Sequence, residues 1–183
     1  KAKIKNNCYL AVKVQRPNLY FLIRRDVVIL RFLATFLSPF LPLNIGVGIG
    51  EIIDEFGKAL FDEIDYEKEG ENALKFADLF KDNPYVFIPK FEKQFSSKRI
   101  ITTSWIDGVK LRDRELLEEN NLLPSSFIKT CVISGLQQLF EHGYFHADPH
   151  PGNMFALKGG NADYGNLAYV DFGMMDTITN SDR

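Results

Sequence analysis

Cysteine is scarce in this chain of 183 residues, which contains only Cys8 and Cys131. The two are far apart and each lies in an apolar segment. They argue against a disulfide-stabilised fold and indicate reduced, buried thiols of an intracellular protein. The net charge is also small, at -2, from 22 basic and 24 acidic residues. Recognition of nucleic acid normally needs a basic patch, so this balance predicts no nucleic-acid partner.

A targeting segment and a long uninterrupted apolar run are missing as well. The chain starts at Lys1 without a methionine or a signal-peptide pattern, and we expect it to be a fragment of a longer protein. The most apolar segment, residues 27–43, carries a single charge and is interrupted by Pro39 and Pro42. A spanning helix needs about 20 apolar residues. A buried or partly interfacial helix, with peripheral membrane contact, is therefore favoured over a spanning one.

Apolar residues are abundant enough for the core of one domain, at 45% of the chain with 16 Phe and 7 Tyr. Alternating patterns predict strands and 3.6-residue periodicity predicts helices. The predicted order is two strands around a turn at Asn6-Asn7, a helix over 19–38, a long helical region over 51–81, two strands within 85–106, a helix over 125–142 and a hairpin over 153–173. Strands and helices segregated in this way are typical of the α+β class.

Three polar residues near the end of the chain have a spacing that is typical of phosphoryl transfer. Asp148 and Asn153 lie in the segment DPHPGN, and Asp171 opens the segment DFG at the end of an apolar strand. In such enzymes one carboxylate orients the attacking hydroxyl, while an asparagine and a second carboxylate hold magnesium. Hard oxygen ligands suit this ion. We therefore expect a catalytic acid at Asp148 and metal ligands at Asn153 and Asp171.

The same segment allows two other interpretations. His146, Asp148 and His150 could form a zinc cluster, although such a site would need a further ligand, and the remaining histidine, His142, lies one helical turn earlier. The segment could also be a simple turn rich in proline and glycine. The joint spacing of the acid, the asparagine and the DFG segment favours phosphoryl transfer over both.

A lysine in the middle of an apolar strand gives a second indication. Lys13 lies in the segment LAVKV, and a strand lysine of this kind either faces solvent at an edge or holds nucleotide phosphates. The second role needs a carboxylate from a helix. Residues 63–71 supply five acidic residues, several spaced four apart. Neighbouring like charges are unfavourable on a helix, which favours a functional role for at least one of them without identifying it.

Taken together, these segments resemble the UbiB/aarF-domain family of atypical kinases, with the cyanobacterial and plastid branch as the nearest match. The resemblance rests on AVKVQRP, on ALFDEIDYEKEGENALKFADLF, on GYFHADPHPGN and on YVDFGMM, and it covers almost the whole chain. It implies a two-lobed fold similar to that of protein kinases, truncated at both ends. Residues 1–106 would belong to the N-lobe and residues 107–183 to the C-lobe.

The resemblance also implies roles for individual residues. Lys13 would bind nucleotide phosphates and pair with Glu69, and Asp148 would be the acid of the catalytic loop. The remaining assignments concern nucleotide and metal, and imply ATP and Mg²⁺ as cofactors. The family's E-x-D pair would be Glu63 and Asp65, the adenine-binding hinge would be Thr103, Ser104, Trp105 and Ile106, and the metal ligands would be Asn153 and Asp171.

Some family features are not found in this sequence. A K-x-G-Q segment and an alanine-rich nucleotide loop would precede the lysine strand, and Ser104 stands where the family often has glutamate. We therefore expect the isolated chain to have weak activity or none, and marginal stability.

The expected function is that of an atypical kinase or ATPase that supports isoprenoid-quinone or lipid metabolism at a plastid or cyanobacterial membrane. Its partners would be a nucleotide and a lipid or protein of the quinone pathway. Two alternatives stay open. One is a small-molecule phosphotransferase similar to aminoglycoside or choline kinases, and the other is a nucleotide-binding pseudokinase without enzymatic activity.

Overall fold

A three-stranded antiparallel sheet carries the lysine strand. The computed structural model describes residues 1–3, 9–38, 48–160 and 164–179; the predicted turn at Asn6-Asn7 and the predicted thiol Cys8 lie outside these residues. The strands are β1 (Ala2–Lys3), β2 (Tyr9–Val14) and β4 (Ile100–Ser104), in the order β1-β2-β4. The described parts of the predicted strands thus contain β1, β2 and β4.

A second sheet contains the strand β3 (Val86–Phe87), the strand β5 (Gly108–Lys110) and the hairpin β7 (Met154–Gly160) with β8 (Gly165–Tyr169). The strand order is β3-β8-β7-β5, and β3 runs parallel to β8. The predicted hairpin is therefore confirmed. Two short strands, β6 (Tyr144–His146) and β9 (Met175–Thr177), pair antiparallel on either side of the DFG segment.

The most apolar helix of the sequence is not buried. Helix α1 (Leu19–Leu37) packs against α2 (Ile49–Glu63) as an antiparallel pair, in which Arg31 bonds Asp54 at 2.8 Å. None of the α1 residues, all of which the structure describes, is buried. Of the two predicted alternatives, a buried helix is wrong for the part up to Leu37, because among the described residues α1 packs mainly on one side, against α2. A partly interfacial helix stays a prediction, and residues 39–43 lie outside the described range.

The long helical region predicted over 51–81 is present, and it consists of two helices. Helix α2 ends at Glu63 and α3 (Tyr66–Leu79) begins anew. Asp65 separates them, because its side chain accepts the Lys68 backbone N–H at 3.1 Å and so caps α3. The change of direction at Asp65 allows α3 to pack between the two sheets while α2 follows α1.

The remaining helices precede the catalytic-loop segment. Helix α4 (Arg114–Glu119) is short, and α5 (Pro124–Leu136) continues into a π-helical turn at Gln137–His142. Gly143, at φ 59°, then ends the helix in the left-handed conformation that glycine adopts without strain. This sharp ending directs the chain into β6 and the following polar loop.

The main core lies where α3 packs on the hairpin. Phe76 is fully buried, stacks on Phe80 at a ring-centroid distance of 4.8 Å and contacts Phe172 in a tilted arrangement at 5.3 Å. The observed mixture of helices and separate sheets confirms the predicted fold class. The predicted division between residues 106 and 107 stays a prediction, and β3 from the first portion lies in the sheet of the second. The cluster consists of Ala73, Phe76, Phe80, Val86, Tyr144, Met154, Leu167, Tyr169 and Phe172.

Candidate active site

Three charged residues from distant parts of the sequence meet between the two sheets. The Lys13 Nζ lies 3.2 and 3.1 Å from the two Glu69 carboxylate oxygens and 3.2 Å from Asp171 Oδ2. These residues belong to β2, to α3 and to the DFG segment. The cluster therefore joins both sheets through a single ammonium group.

Local packing explains why Glu69 reaches the lysine. Glu69 stands in the first turn of α3, and its side chain is only 3% exposed. The next residue, Gly70, faces Phe91, and a Cβ at position 70 would lie 2.4 Å from the ring atom Cζ. Glycine at this position lets α3 approach closely enough for the Glu69 carboxylate to reach β2.

Burial and charge act against each other in this ion pair. Burial lowers the pKa of Lys13, but the carboxylates of Glu69 and Asp171 together raise that pKa by more, so its net direction is upward. The pKa of Glu69 is raised, chiefly by burial and also by the negative charge of Asp171, and the Lys13 ammonium offsets this rise only in part. The Glu69 carboxylate is thus held in a poorly hydrated place, where it depends on Lys13 for its charge.

A buried histidine fixes the backbone next to Asp171. His146 Nδ1 accepts the Asp148 backbone N–H at 3.1 Å, so the ring proton lies on Nε2 and is donated to the Asp171 carbonyl oxygen at 2.6 Å. Burial lowers the pKa of His146, which keeps the ring neutral. Asp171 Oδ1 accepts the Gly173 N–H at 3.1 Å. The imidazole therefore ties the predicted catalytic acid to the predicted metal ligand.

The segment with the predicted acid and metal ligands forms one wall of a small cavity. Asn153 lies beside Asp171, because the backbone carbonyl oxygen of Asn153 accepts the Val170 backbone N–H at 3.1 Å. Asp148 is half-exposed at the mouth of this cavity. The cavity of about 130 Å³ is lined by Glu63, His146, Asp148, His150, Asn153, Asp171 and Met174.

A larger cavity of about 410 Å³ adjoins the ion-pair cluster. Lys13, Glu69, Asn153 and Asp171 line it, and the strand end at 103–106, predicted to bind adenine, forms its far wall. Two of these residues, Asn153 and Asp171, are shared with the smaller cavity. The larger cavity therefore brings Lys13 and the two predicted metal ligands into one space with the segment 103–106. Its other walls include Lys1, Ala11, Val12, Ala73, Pro89, Ile101, Lys110 and Phe155.

The predicted E-x-D pair is divided between two places. Glu63 lines the smaller cavity. Asp65 caps α3 and lines a separate groove below the α1/α2 pair, together with Tyr20, Phe61 and Arg99. The break between α2 and α3 turns the two side chains apart, so the structure does not bring them together at the larger cavity.

The histidine geometry disfavours the zinc alternative. Both nitrogens of His146 are engaged in hydrogen bonds with backbone atoms, and neither is directed at Asp148 or His150 side chains. Across residues 1–3, 9–38, 48–160 and 164–179, no group of three or more histidine, cysteine or acidic residues is placed to hold a metal ion. In the same ranges, no helix combines the length and the apolarity that crossing a bilayer requires.

Sequence reasoning missed one polar link to the site. Asn72 donates to the Phe172 carbonyl oxygen at 2.8 Å and accepts the Tyr144 hydroxyl at 2.9 Å. It therefore joins α3 both to the DFG segment and to β6. Its spacing of three from Glu69 and four from Phe76 places it on the inner face of α3, and this helical spacing was the available signal.

Comparison with known proteins identifies relatives of this chain. The family model described as ABC1 atypical kinase-like domain matches residues 1–183. An uncharacterized protein of Synechocystis sp. is 48% identical over 169 residues, which are 92% of this chain and 29% of that protein. The protein ACTIVITY OF BC1 COMPLEX KINASE 1, chloroplastic, of Arabidopsis thaliana is 38% identical over 174 residues, covering 95% of this chain and 25% of the relative.

A solved structure shows the same fold. The Rv3197 protein of Mycobacterium tuberculosis, determined as a complex with erythromycin, superposes with a TM-score of 0.69 at 25% identity. The match covers 94% of this chain and 41% of that protein. This likeness confirms the predicted kinase-like fold. The chain spans less than a third of the length of the Synechocystis and Arabidopsis relatives.

Proposed function

Because this chain belongs to the ABC1 atypical kinase-like family, we propose that it binds ATP with Mg²⁺ and transfers or hydrolyses the γ-phosphoryl group. The observation that carries this proposal is the position of Lys13, within 3.2 Å of both Glu69 and Asp171. An ammonium held by a helix carboxylate beside a DFG aspartate is the arrangement that positions nucleotide phosphates in protein kinases.

The residues at the junction of the two cavities fit magnesium. Asn153 and Asp171 offer an amide oxygen and a carboxylate, and Mg²⁺ commonly takes one or two such protein ligands while phosphate and water oxygens complete its shell. Asp171 is already oriented through the Gly173 N–H and the His146 imidazole. Bound there, the ion would neutralise charge on the transferred phosphoryl group.

The chain's own residues would then act as follows. Lys13 holds the phosphates, and the strand end at residues 103–106 packs against the adenine. Asp148 accepts the proton from the attacking hydroxyl, which belongs to an acceptor molecule or to water. The new bond forms between that oxygen and the γ-phosphorus as the bond to the β-phosphate oxygen breaks, and ADP leaves.

The choice between the earlier alternatives follows from the family. A small-molecule phosphotransferase similar to aminoglycoside or choline kinases is disfavoured, because the ABC1 model matches residues 1–183. Turnover decides between an enzyme and a pseudokinase. We also propose a role in isoprenoid-quinone or lipid metabolism at a plastid or cyanobacterial membrane, supported by relatives named as chloroplastic and by relatives from Synechocystis.

The test is Mg²⁺-dependent ATP turnover by the full-length protein and its D171N variant. We expect D171N to lose at least about 100-fold in turnover, since the change removes a metal-binding carboxylate. D78N, at an exposed position of α3, is the matched control and should keep wild-type activity. Turnover that survives D171N would overturn the metal assignment. Nucleotide-dependent stabilisation without any wild-type turnover would instead support the pseudokinase.

A further inference from the structure

The side chain of His150 has a defined orientation that the proposed mechanism does not yet use. Its Nδ1 accepts the Gly152 backbone N–H at 3.0 Å. A neutral imidazole carries its single proton on the nitrogen that does not accept, so the Nε2 of His150 is the donor. That Nε2 lies 3.6 Å from Asp148 Oδ2.

Gly152 makes this orientation sterically possible. A Cβ at position 152 would lie 2.6 Å from His150 Cε1 and 2.8 Å from Nδ1, and the three nearest atoms all belong to that imidazole. Any side chain at 152 would therefore displace the ring. The position of the His150 ring therefore depends on the absence of a side chain at Gly152.

Asp148 needs an external group to orient it. Its side chain is half-exposed, and within the described part of the chain no hydrogen bond is made to its carboxylate oxygens. A freely rotating carboxylate spends only part of its time aimed at the attacking hydroxyl, and misplacement by about 1 Å can cost a reaction on the order of 100-fold. His150 is the neighbouring donor that could restrict this rotation.

We propose that His150 is a positioning residue for Asp148, and that Gly152 is required because it leaves room for the His150 ring. The Nε2–H engages Oδ2 when substrate closes the site, which leaves Oδ1 directed at the attacking hydroxyl. Catalytic hydrogen bonds are often longer in unliganded structures and shorten in the substrate complex. This inference rests on the proposed function, since it gives His150 a role only if Asp148 takes the proton.

The test is a double-mutant cycle on the full-length protein, with kcat for ATP turnover and the Kd for Mg-ATP measured in each variant. H150A should lower kcat roughly 10-fold to 100-fold and leave the Kd unchanged, because His150 acts on the proton acceptor. G152A should lower kcat to a similar extent. In the H150A background, G152A should have no further effect on kcat, because the only ring it displaces is gone.

Two variants distinguish positioning from general structural damage. H150N should recover part of the lost kcat, since an asparagine side chain can accept the N–H two residues ahead and keep a donor nearby. G135A is the matched glycine control on α5, where a new Cβ meets nothing within 4 Å, and should leave kcat unchanged.

The outcomes separate this inference from the proposed function. Losses that add in the double variant, or a change in Kd with kcat intact, would overturn the role of His150 alone. Absence of turnover in the wild-type protein would overturn the proposed function and this inference with it. Nitrogen NMR of the His150 ring gives a readout besides activity: a proton on Nδ1 in the wild-type protein would contradict the geometry on which the role depends.

Discussion

Helices α1 and α3 reverse the usual relation between apolar sequence and burial. Helix α1 is mostly apolar and has no buried residue among those described, whereas α3 contains four acidic residues and two lysines and has five buried positions. One of those five is the charged Glu69. Burial in this chain is therefore decided by what surrounds a helix rather than by its average polarity.

The surroundings of the two helices differ in a simple way. Within the described part of the chain, α1 packs mainly against α2, and Phe32 stays 69% exposed. Helix α3 lies between β4, Phe91 and the aromatic side chains that follow the β7–β8 hairpin. Matched substitutions in the two helices test this difference through their effects on the free energy of unfolding.

The largest expected contrast is between two phenylalanines. F76A removes a fully buried ring from the main core, and should lower the free energy of unfolding by about 3–5 kcal/mol. F32A removes an exposed ring from α1 and should change it by about 0.5 kcal/mol or less. Urea unfolding of the intact protein measures both. Equal losses would mean that α1 is buried against something in the intact protein, which would break the comparison.

The second contrast is between two helical glycines. G70A places a Cβ 2.4 Å from the Phe91 ring, and should destabilise the protein by about 1–3 kcal/mol through overpacking. It should also weaken nucleotide binding, since it moves Glu69 away from Lys13. G50A, in α2, meets nothing within 4 Å and should stabilise by up to about 1 kcal/mol. A stabilising G70A would contradict the close approach of α3.

The smallest contrast concerns pH. Burial raises the pKa of Glu69 above its ordinary value of 4.5, so the native state binds this proton more readily than the unfolded state does. The wild-type protein therefore loses stability, relative to E69Q, as the pH rises from about 4.5 through the native pKa. Parallel unfolding curves across this interval measure the difference. E67Q changes an exposed glutamate of the same helix, and an equal pH dependence in both variants would refute the assignment to Glu69.

The grouping of the candidate site residues was largely predictable from sequence. The spacing of Asp148, Asn153 and Asp171 indicated phosphoryl transfer, and the structure gathers them around one small cavity. The acidic residues of 63–71 could not be ranked by spacing, and only the family resemblance implied Glu69. The structure places that residue beside Lys13, because Gly70 lets α3 come close to Phe91. That dependence on a contact between distant segments is invisible in local sequence.

The sequence by itself determined the positions of the longer strands and helices, the hairpin and the kinds of side chain available for phosphate and metal. Hydrophobic periodicity and turn residues depend on a few neighbouring positions, so these features can be predicted from local sequence. Tertiary structure alone decided that an apolar helix stays exposed, that the acidic region 51–81 breaks at Asp65, and that His146 joins Asp148 to Asp171. These outcomes depend on contacts between residues that are distant in sequence, and the whole fold determines which of those residues come into contact.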